Sequence, residues 1–250
     1  MKSKQQRARL DDLLVARGLA DSPHKARAMI LAGEVSVNGA RETKSGTAVA
    51  QDALLVVNSR EQKYASRGGF KLEGALRDFH TDPTGRICLD VGSSTGGFTD
   101  CLLQNGAVRV YAVDVTIGQI AWKLRLDERV MRIERNAREL SPSDIPEPID
   151  LVTVDVSFIS VGKVLPNAAA VAKPDADFLI LVKPQFELRR EQIGPGGIVS
   201  DTALHDQAIA IVRHAAESAG LIYLGVQPSH LAGAEGNQEY FLHARKNPVE

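Results

Sequence analysis

Cysteine is scarce in this chain, with only Cys88 and Cys101 in 250 residues. One lies in a strand-like stretch and the other in a helix-like one. That suits two small core residues in a reducing cytoplasm and argues against a disulfide scaffold. Long hydrophobic runs are also absent: nothing approaches the roughly 18 consecutive apolar residues a membrane-spanning helix needs. The opening MKSKQQRARLDDLL has basic residues but no apolar stretch behind them, so it lacks the anatomy of a secretory leader. The six histidines are scattered, none at a His/Cys spacing that suits zinc, and no metal is assigned.

What is present is ordinary in bulk and uneven in detail. Hydrophobic residues make up 44% and charged residues 24%, as in a soluble globular protein with room for one domain and a small appendage. The net charge of −1 hides an asymmetry. Residues 1–60 hold ten Lys/Arg against six Asp/Glu, while the rest hold 20 against 25. A basic end on a mildly acidic body suits an anionic partner held by the N-terminal part, though a solvated surface has the same composition.

Two units follow from the patterning, expected over 1–59 and 67–250 with a polar linker over 60–66. In the first, RARLDDLLVARG puts Leu10, Leu13 and Leu14 on one helical face, with arginines elsewhere. DSPHKARAMILAG has a cap at Ser22, proline at the first helical position and Gly33 after the end. EVSVNG reads as a strand turning at Asn38-Gly39, and ALLVV as another. So small an α+β unit buries little core and works by presenting a surface.

From Arg86 onward short apolar strands alternate with helical stretches: RICLDV, VRVYAVDV, IDLVTVDV, DFLILVK, LIYLGV and EYFLHAR. That alternation predicts an α/β fold with an open, mainly parallel, doubly wound sheet, whose ligands bind outside the strand ends. The first strand runs into LDVGSSTGGFTD, a nucleotide-type loop of Asp90, Gly92, Ser93, Ser94, Gly96, Gly97 and Phe98. It is no P-loop, because no Gly-Lys-Ser/Thr follows, and Ser94 occupies the second glycine of the dinucleotide pattern. The next strand ends at Asp114, placed to accept from ribose hydroxyls, as in NAD or S-adenosylmethionine sites. No second glycine fingerprint appears, and Asn136 stands where it suits an adenine. Other strand ends carry Asp155 and Lys183, Glu239 stands near the start of the last strand, and Lys71 lies on the first turns of a helix. A lone strand-end lysine is usually a snorkelling surface residue; four such groups beside one cleft are not so easily dismissed.

The stretch RLDDLLVARGLADSPHKARAMILAGEVSVNG resembles the S-four-type RNA-binding module. That resemblance implies RNA phosphates held by Arg7, Arg9, Arg17, Lys25 and Arg27, contacts that fix position without reading sequence. The segments SRGGFKL, LDVGSSTGGFTD, VDVSFIS, LVKPQFE and GNQEYF resemble the haemolysin A (TlyA) family, ribose 2′-O-methyltransferases of ribosomal RNA with an FtsJ-like domain. With the N-terminal module the likeness covers nearly the whole chain. It implies a Rossmann-like class I methyltransferase sheet, S-adenosyl-L-methionine as cofactor, cytidine riboses of 16S and/or 23S RNA in ribosomal subunits as substrate, and a cytoplasmic location. It maps a Lys-Asp-Lys-Glu tetrad onto Lys71, Asp155, Lys183 and Glu239. The glycine loop departs from FtsJ-like enzymes at Ser94 and Thr95, where alanine and proline are common.

The chemistry suits those residues. A ribose hydroxyl is a poor nucleophile that must lose its proton at or before the transition state, and a lysine can accept that proton or, if charged, stabilise the forming alkoxide. Pro184 restricts Lys183 to an extended backbone. Arg189 and Arg190, ahead of a Gly/Pro-rich stretch, suggest a mobile loop offering further phosphate contacts. Rival readings are a non-catalytic ribosome assembly factor, a pseudouridine synthase, a small-molecule methyltransferase and a membrane-active haemolysin. The retained tetrad, the cofactor-type loop, the basic appendage and the lack of an apolar or amphipathic segment count against them in turn.

Overall fold

The structure, a computed structural model, describes residues 7–20, 22–57 and 63–248. Internal contacts divide the chain into two units, 1–63 and 64–250. Of the linker expected over 60–66, residues 60–62 lie outside the described residues, as do residues 1–6 of the basic N-terminal stretch. Tyr64 belongs to the second unit. It is only 1% exposed, its ring meets Phe70 edge-on at 5.2 Å, and the neighbouring Ala65 N–H donates to Asp100 at 2.7 Å.

The first unit runs β1 (Arg7–Arg9), α1 (Leu10–Ala16), α2 (Pro23–Leu31), β2 (Val35–Val37), β3 (Ala40–Glu42), β4 (Ala48–Ala50) and β5 (Leu55–Val57). Leu10, Leu13 and Leu14 of α1 meet Ala26, Met29 and Ile30 of α2 in one core with Val35, Val49 and Leu55. The second helix keeps its expected punctuation. Ser22 Oγ accepts from Lys25 N–H at 3.2 Å, Pro23 opens the helix, and the hairpin turns on Asn38 (φ 51°) and Gly39 (φ 85°). One expectation is corrected. Arg7 and Arg9 do not extend the first helix but lie on β1, which pairs antiparallel with β4. A three-residue strand running directly into a helix leaves no periodic signal of its own.

The second unit runs α3 (Gly68–Asp78), β6 (Ile87–Val91), α4 (Gly97–Gln104), β7 (Arg109–Asp114), α5 (Trp122–Arg125), β8 (Val130–Glu134), β9 (Ile149–Val154), α6 (Leu165–Val171), β10 (Ala172–Val182), α7 (Pro184–Glu187), α8 (Thr202–Ser218), β11 (Leu221–Pro228) and β12 (Tyr240–Lys246). These strands form a seven-stranded sheet in the order β11-β12-β10-β9-β6-β7-β8. All neighbours are parallel except β12, which runs antiparallel to both β10 and β11. Side chains alternate between the faces, as strand geometry demands. Cys88, Leu151, Leu179 and Leu181 pack with Leu72 and Ala75 of α3 and Cys101 and Leu102 of α4. Leu89, Val152, Phe178 and Ile180 pack with Leu165 of α6 and Ala208 and Val212 of α8. Both cysteines are buried, and neither is in a disulfide. Strand β8, VMRIE, was not expected. It is the edge strand, and four of its five residues keep some exposure, so it shows no apolar run.

Candidate active site

The topology decides what meets what. The parallel strands β9 and β10 end at Val154 and Val182, and β12, running the other way, begins at that same edge with Tyr240 opposite Val182. Asp155, Lys183 and Glu239, each one residue beyond a strand, therefore line up on one rim. Helix α3 delivers Lys71 to them. Lys71 Nζ lies 2.5 Å from Glu239 Oε2, and Lys183 Nζ lies 2.5 Å from Asp155 Oδ1, with both lysines largely buried. The second contact is an ion pair and not an aligned hydrogen bond, since Asp155 Oδ1 has no hydrogen-bond partner among the described residues; the lysine's aligned N–H goes to Ser157 Oγ at 2.9 Å. Lys183 is extended (φ −113°, ψ 102°), as a residue before proline should be.

Two clefts share Gly92, Ser94 and Asp155. One of about 450 Å³ is lined by Asp114, Asn136, Arg138 and Phe158 among others; one of about 180 Å³ by Lys71, Ser93, Gly97 and Phe98. Gly92 (φ 87°) is forced by crowding as well as by conformation, because a Cβ there would lie 2.3 Å from the Asp155 carbonyl oxygen. Gly96 (φ 92°) is hemmed in by Leu124 and Ile120. Ser94, at the position where the dinucleotide pattern has glycine, takes φ 48°, a conformation that costs a side-chain-bearing residue on the order of 1 kcal/mol. Its N–H donates to Asp114 Oδ2 at 2.9 Å, while Asp114 Oδ1 accepts from Thr116 N–H at 2.8 Å. Asn136 Oδ1 accepts from Arg138 N–H at 3.1 Å, and among the described residues none accepts from its amide nitrogen. Phe98 is buried against Phe241.

Asp90 differs from the other candidates. It is fully buried and lines neither cleft; Thr99 Oγ1 donates to it at 2.6 Å and Thr153 Oγ1 at 3.3 Å, tying α4 to β6 and β9. Burial, aided by the charge of Asp155, pushes its carboxyl up to about 7 against those hydrogen bonds. Its place is beneath the loop.

The basic residues divide by what holds them. Arg17 donates to the carbonyls of Ala53 (2.7 Å) and Gln51, bracing the turn after β4, and Arg7 to that of Ala48 on β4 (2.6 Å). Arg9 and Arg27 flank Asp11, whose carboxylate is 1% exposed and lies 2.9 and 3.4 Å from them; the Arg9 hydrogen bond holds that carboxyl below its ordinary range against burial. Lys25 is exposed on α2. Arg189 and Arg190 are exposed in the second unit, but the chain is anchored on both sides of them: Leu188 before and Val199 after are buried in the core, and Ile193 packs on it. Sequence reasoning missed Phe158, 88% exposed at φ 66° beside Phe186, with ring centroids 5.2 Å apart. Its signal was an aromatic in the loop after VDVS, where a buried ring has no place.

A parallel sheet with one reversed strand near its edge and a glycine-turned loop after its first strand is the frame of a Rossmann-like class I methyltransferase, and the second unit is one. Residues 64–246 match the FtsJ-like methyltransferase family and residues 8–54 the S4 domain. The 16S/23S rRNA (cytidine-2′-O)-methyltransferase TlyA of Mycobacterium tuberculosis is 48% identical over 241 residues, 96% of this chain and 90% of that protein. A solved structure from Streptococcus thermophilus, described provisionally as a hemolysin, is 39% identical, with a TM-score of 0.74 over 97% of this chain and 90% of that one. Magnesium protoporphyrin IX methyltransferase of Synechocystis, solved with bound SAH, shares the fold alone, at 15% identity and a TM-score of 0.51 over 72% of this chain and 84% of that one. This chain belongs to the FtsJ-like methyltransferases, within the TlyA family, with an S4 domain ahead of the catalytic one. Among the described residues no helix is long and apolar enough to cross a membrane, and no group of His, Cys, Asp or Glu could hold a metal ion.

The placement of Asp90 has a consequence for stability. A carboxyl whose folded value is raised from 3.8 to about 7 keeps its proton in the folded state after the unfolded chain has lost it, so this group removes stability as pH rises between those values. Asp90→Asn should therefore gain in Tm relative to the unmodified protein as pH rises from 4 to 7. A Tm difference flat across that range contradicts the assignment.

Proposed function

We propose that the chain transfers a methyl group from S-adenosyl-L-methionine to the ribose 2′-hydroxyl of cytidine in ribosomal RNA, acting on ribosomal subunits in the cytoplasm. The observation that carries this reading is the convergence of Lys71–Glu239 and Lys183–Asp155 on one rim, beside the clefts of the glycine loop. The TlyA relative, named for that reaction on 16S and 23S RNA, supports the substrate.

The clefts fit the cofactor on features of this chain. Gly92 offers a bare backbone, and Ser93 Oγ is buried with no hydrogen-bond partner among the described residues, so a polar ligand group would satisfy it. Asp114 keeps lone pairs for ribose hydroxyls, Asn136 has its amide nitrogen for an adenine, and Phe98 walls the cleft. Bound there, S-adenosylmethionine supplies a methyl group on a positively charged sulfur, open to attack by an oxygen in line with it. The residues around it have the rest to do. The neutral amine of Lys183, placed by Asp155 and Ser157, receives the proton of the 2′-hydroxyl, and the ammonium so formed pairs with Asp155 and offsets charge growing on the oxygen. Lys71 and Glu239 hold the ribose so that the oxygen faces the methyl group, a positioning that supplies several kcal/mol of rate. Phe158 offers an exposed ring at the rim, suited to stacking on a nucleobase lifted from its RNA strand. Arg9, Lys25 and Arg27 present cations to phosphates, with Asp11 fixing the two arginines.

Labelled methyl transfer from S-adenosylmethionine to unmodified 30S and 50S subunits tests the reading. The unmodified protein should label ribosomal RNA, and Lys183→Ala should slow transfer by about 10²–10⁴-fold, the range for a lost acid–base group, while still binding the cofactor. Near-normal turnover by a folded Lys183→Ala sinks the role given to that lysine. In the S4 domain, Lys25→Ala with Arg27→Ala should weaken RNA binding across sequences. The slope of log affinity against log salt should fall by about one per cation removed, as for phosphate contacts; an unchanged slope means those cations face only solvent.

A further inference from the structure

We infer that Asn237 is a positioning residue for the Lys71–Glu239 pair, acting through the turn over 233–237 and joining that pair to the segment 197–199. Asn237 is 1% exposed, and every polar atom of its side chain that meets the protein is spent on backbone far away in sequence. Its Oδ1 accepts from Val199 N–H at 2.8 Å, and its Nδ2 donates to the Gly197 carbonyl at 2.8 Å. Its own carbonyl accepts from Gly233 N–H at 2.8 Å, and Gly236 N–H returns to the Gly233 carbonyl at 3.0 Å, closing a tight turn.

Gly233 is what links that turn to the chemistry. A Cβ at Gly233 would lie 2.6 Å from Glu239 Oε1, so the backbone there stands directly against the carboxylate, whose other oxygen is 2.5 Å from Lys71 Nζ. Glu239 is thus held between Lys71 and the wall of a turn that Asn237 fixes. A second path runs in parallel. The Val199 carbonyl can only accept, so His205 Nε2, 2.7 Å away, is the donor; its Nδ1 lies 2.9 Å from the hydroxyl of Tyr240, the residue after Glu239. Asn237, Val199, His205 and Tyr240 form a chain of hydrogen bonds whose two ends lie on either side of Glu239 in the sequence. The segment 197–199 also follows the exposed Arg189 and Arg190, so the pin that sets Glu239 sets the approach of that basic stretch as well. A side chain shared this way moves the carboxylate when it is lost, and a displacement near 1 Å at a reacting centre costs about 10²-fold in rate.

This inference rests on the role proposed for Glu239, and a double-mutant cycle separates the two. Methyl transfer to ribosomal RNA is measured for the full chain, Asn237→Ala, Glu239→Ala and the double variant, with cofactor affinity and Tm beside each. Asn237→Ala should lower kcat on the order of 10- to 100-fold with cofactor Kd within about twofold. The double variant should be no slower than Glu239→Ala alone, because the residue acted through that carboxylate. Losses that multiply, or an Asn237→Ala that loses Tm but keeps kcat, overturn it. A Glu239→Ala with normal kcat removes the role of Glu239 and this inference together. Should Asn237→Ala not fold, Asn237→Asp takes its place in the cycle, since it keeps the acceptor for Val199 and loses the donor to Gly197. The same results then support or overturn the inference.

Discussion

Two lysine–carboxylate pairs at one edge of a sheet set the demands that the rest of the second unit meets. Such pairs out of full solvent gain little unless their geometry is held, and losing one partner leaves a poorly solvated charge behind. The four groups come from a helix and three strands far apart in sequence, so only a rigid frame keeps them in reach. The frame is the central strands β9 and β10, buried on both faces, with Leu179, Ile180, Leu181 and Val182 all fully enclosed. The reversal of β12 matters equally, because it brings the start of that strand, and with it Glu239, to the edge where its neighbours end.

The same edge makes room for a ligand. Gly92 lets the chain pass against the Asp155 backbone, so the loop after the first strand and the residue after β9 share a wall, and one site faces both clefts. Asp90, under that loop, secures α4 through Thr99. The first unit solves a different problem with the same means. Asp11 is a buried carboxylate that faces two arginines outward, and Arg17 spends its guanidinium on loop carbonyls. A charged residue there either presents a surface or builds it.

What could be read in advance divides along physical lines. The helix ends around Ser22, Pro23 and Gly33 were legible because caps and left-handed residues are local signals. The central strands were legible because burial on both faces writes continuous apolar runs. Candidates such as Lys183 and Asp155 stood out as charges abutting such runs. Their pairing did not, since it depends on the register of β10 with β9 and β12. Edge strand β8 escaped because exposure erases its pattern, and β1 because three residues make no period. The exposed ring of Phe158 and the bonds of Asn237 depend on geometry that only the folded loops create. The loop after Arg190 read as mobile from its glycines and proline, yet Ile193, Val199 and the bonds to Asn237 hold it.

The most direct measurement is the identity of the modified nucleoside. Ribosomal RNA methylated by the protein would be digested completely and its nucleosides separated by mass spectrometry against standards. A 2′-O-methyl nucleoside is the expected product, 2′-O-methylcytidine under the proposed function, since the paired lysines and carboxylates suit the activation of a hydroxyl. Methyl on a base nitrogen or carbon, with no ribose product, would contradict the role given to those pairs.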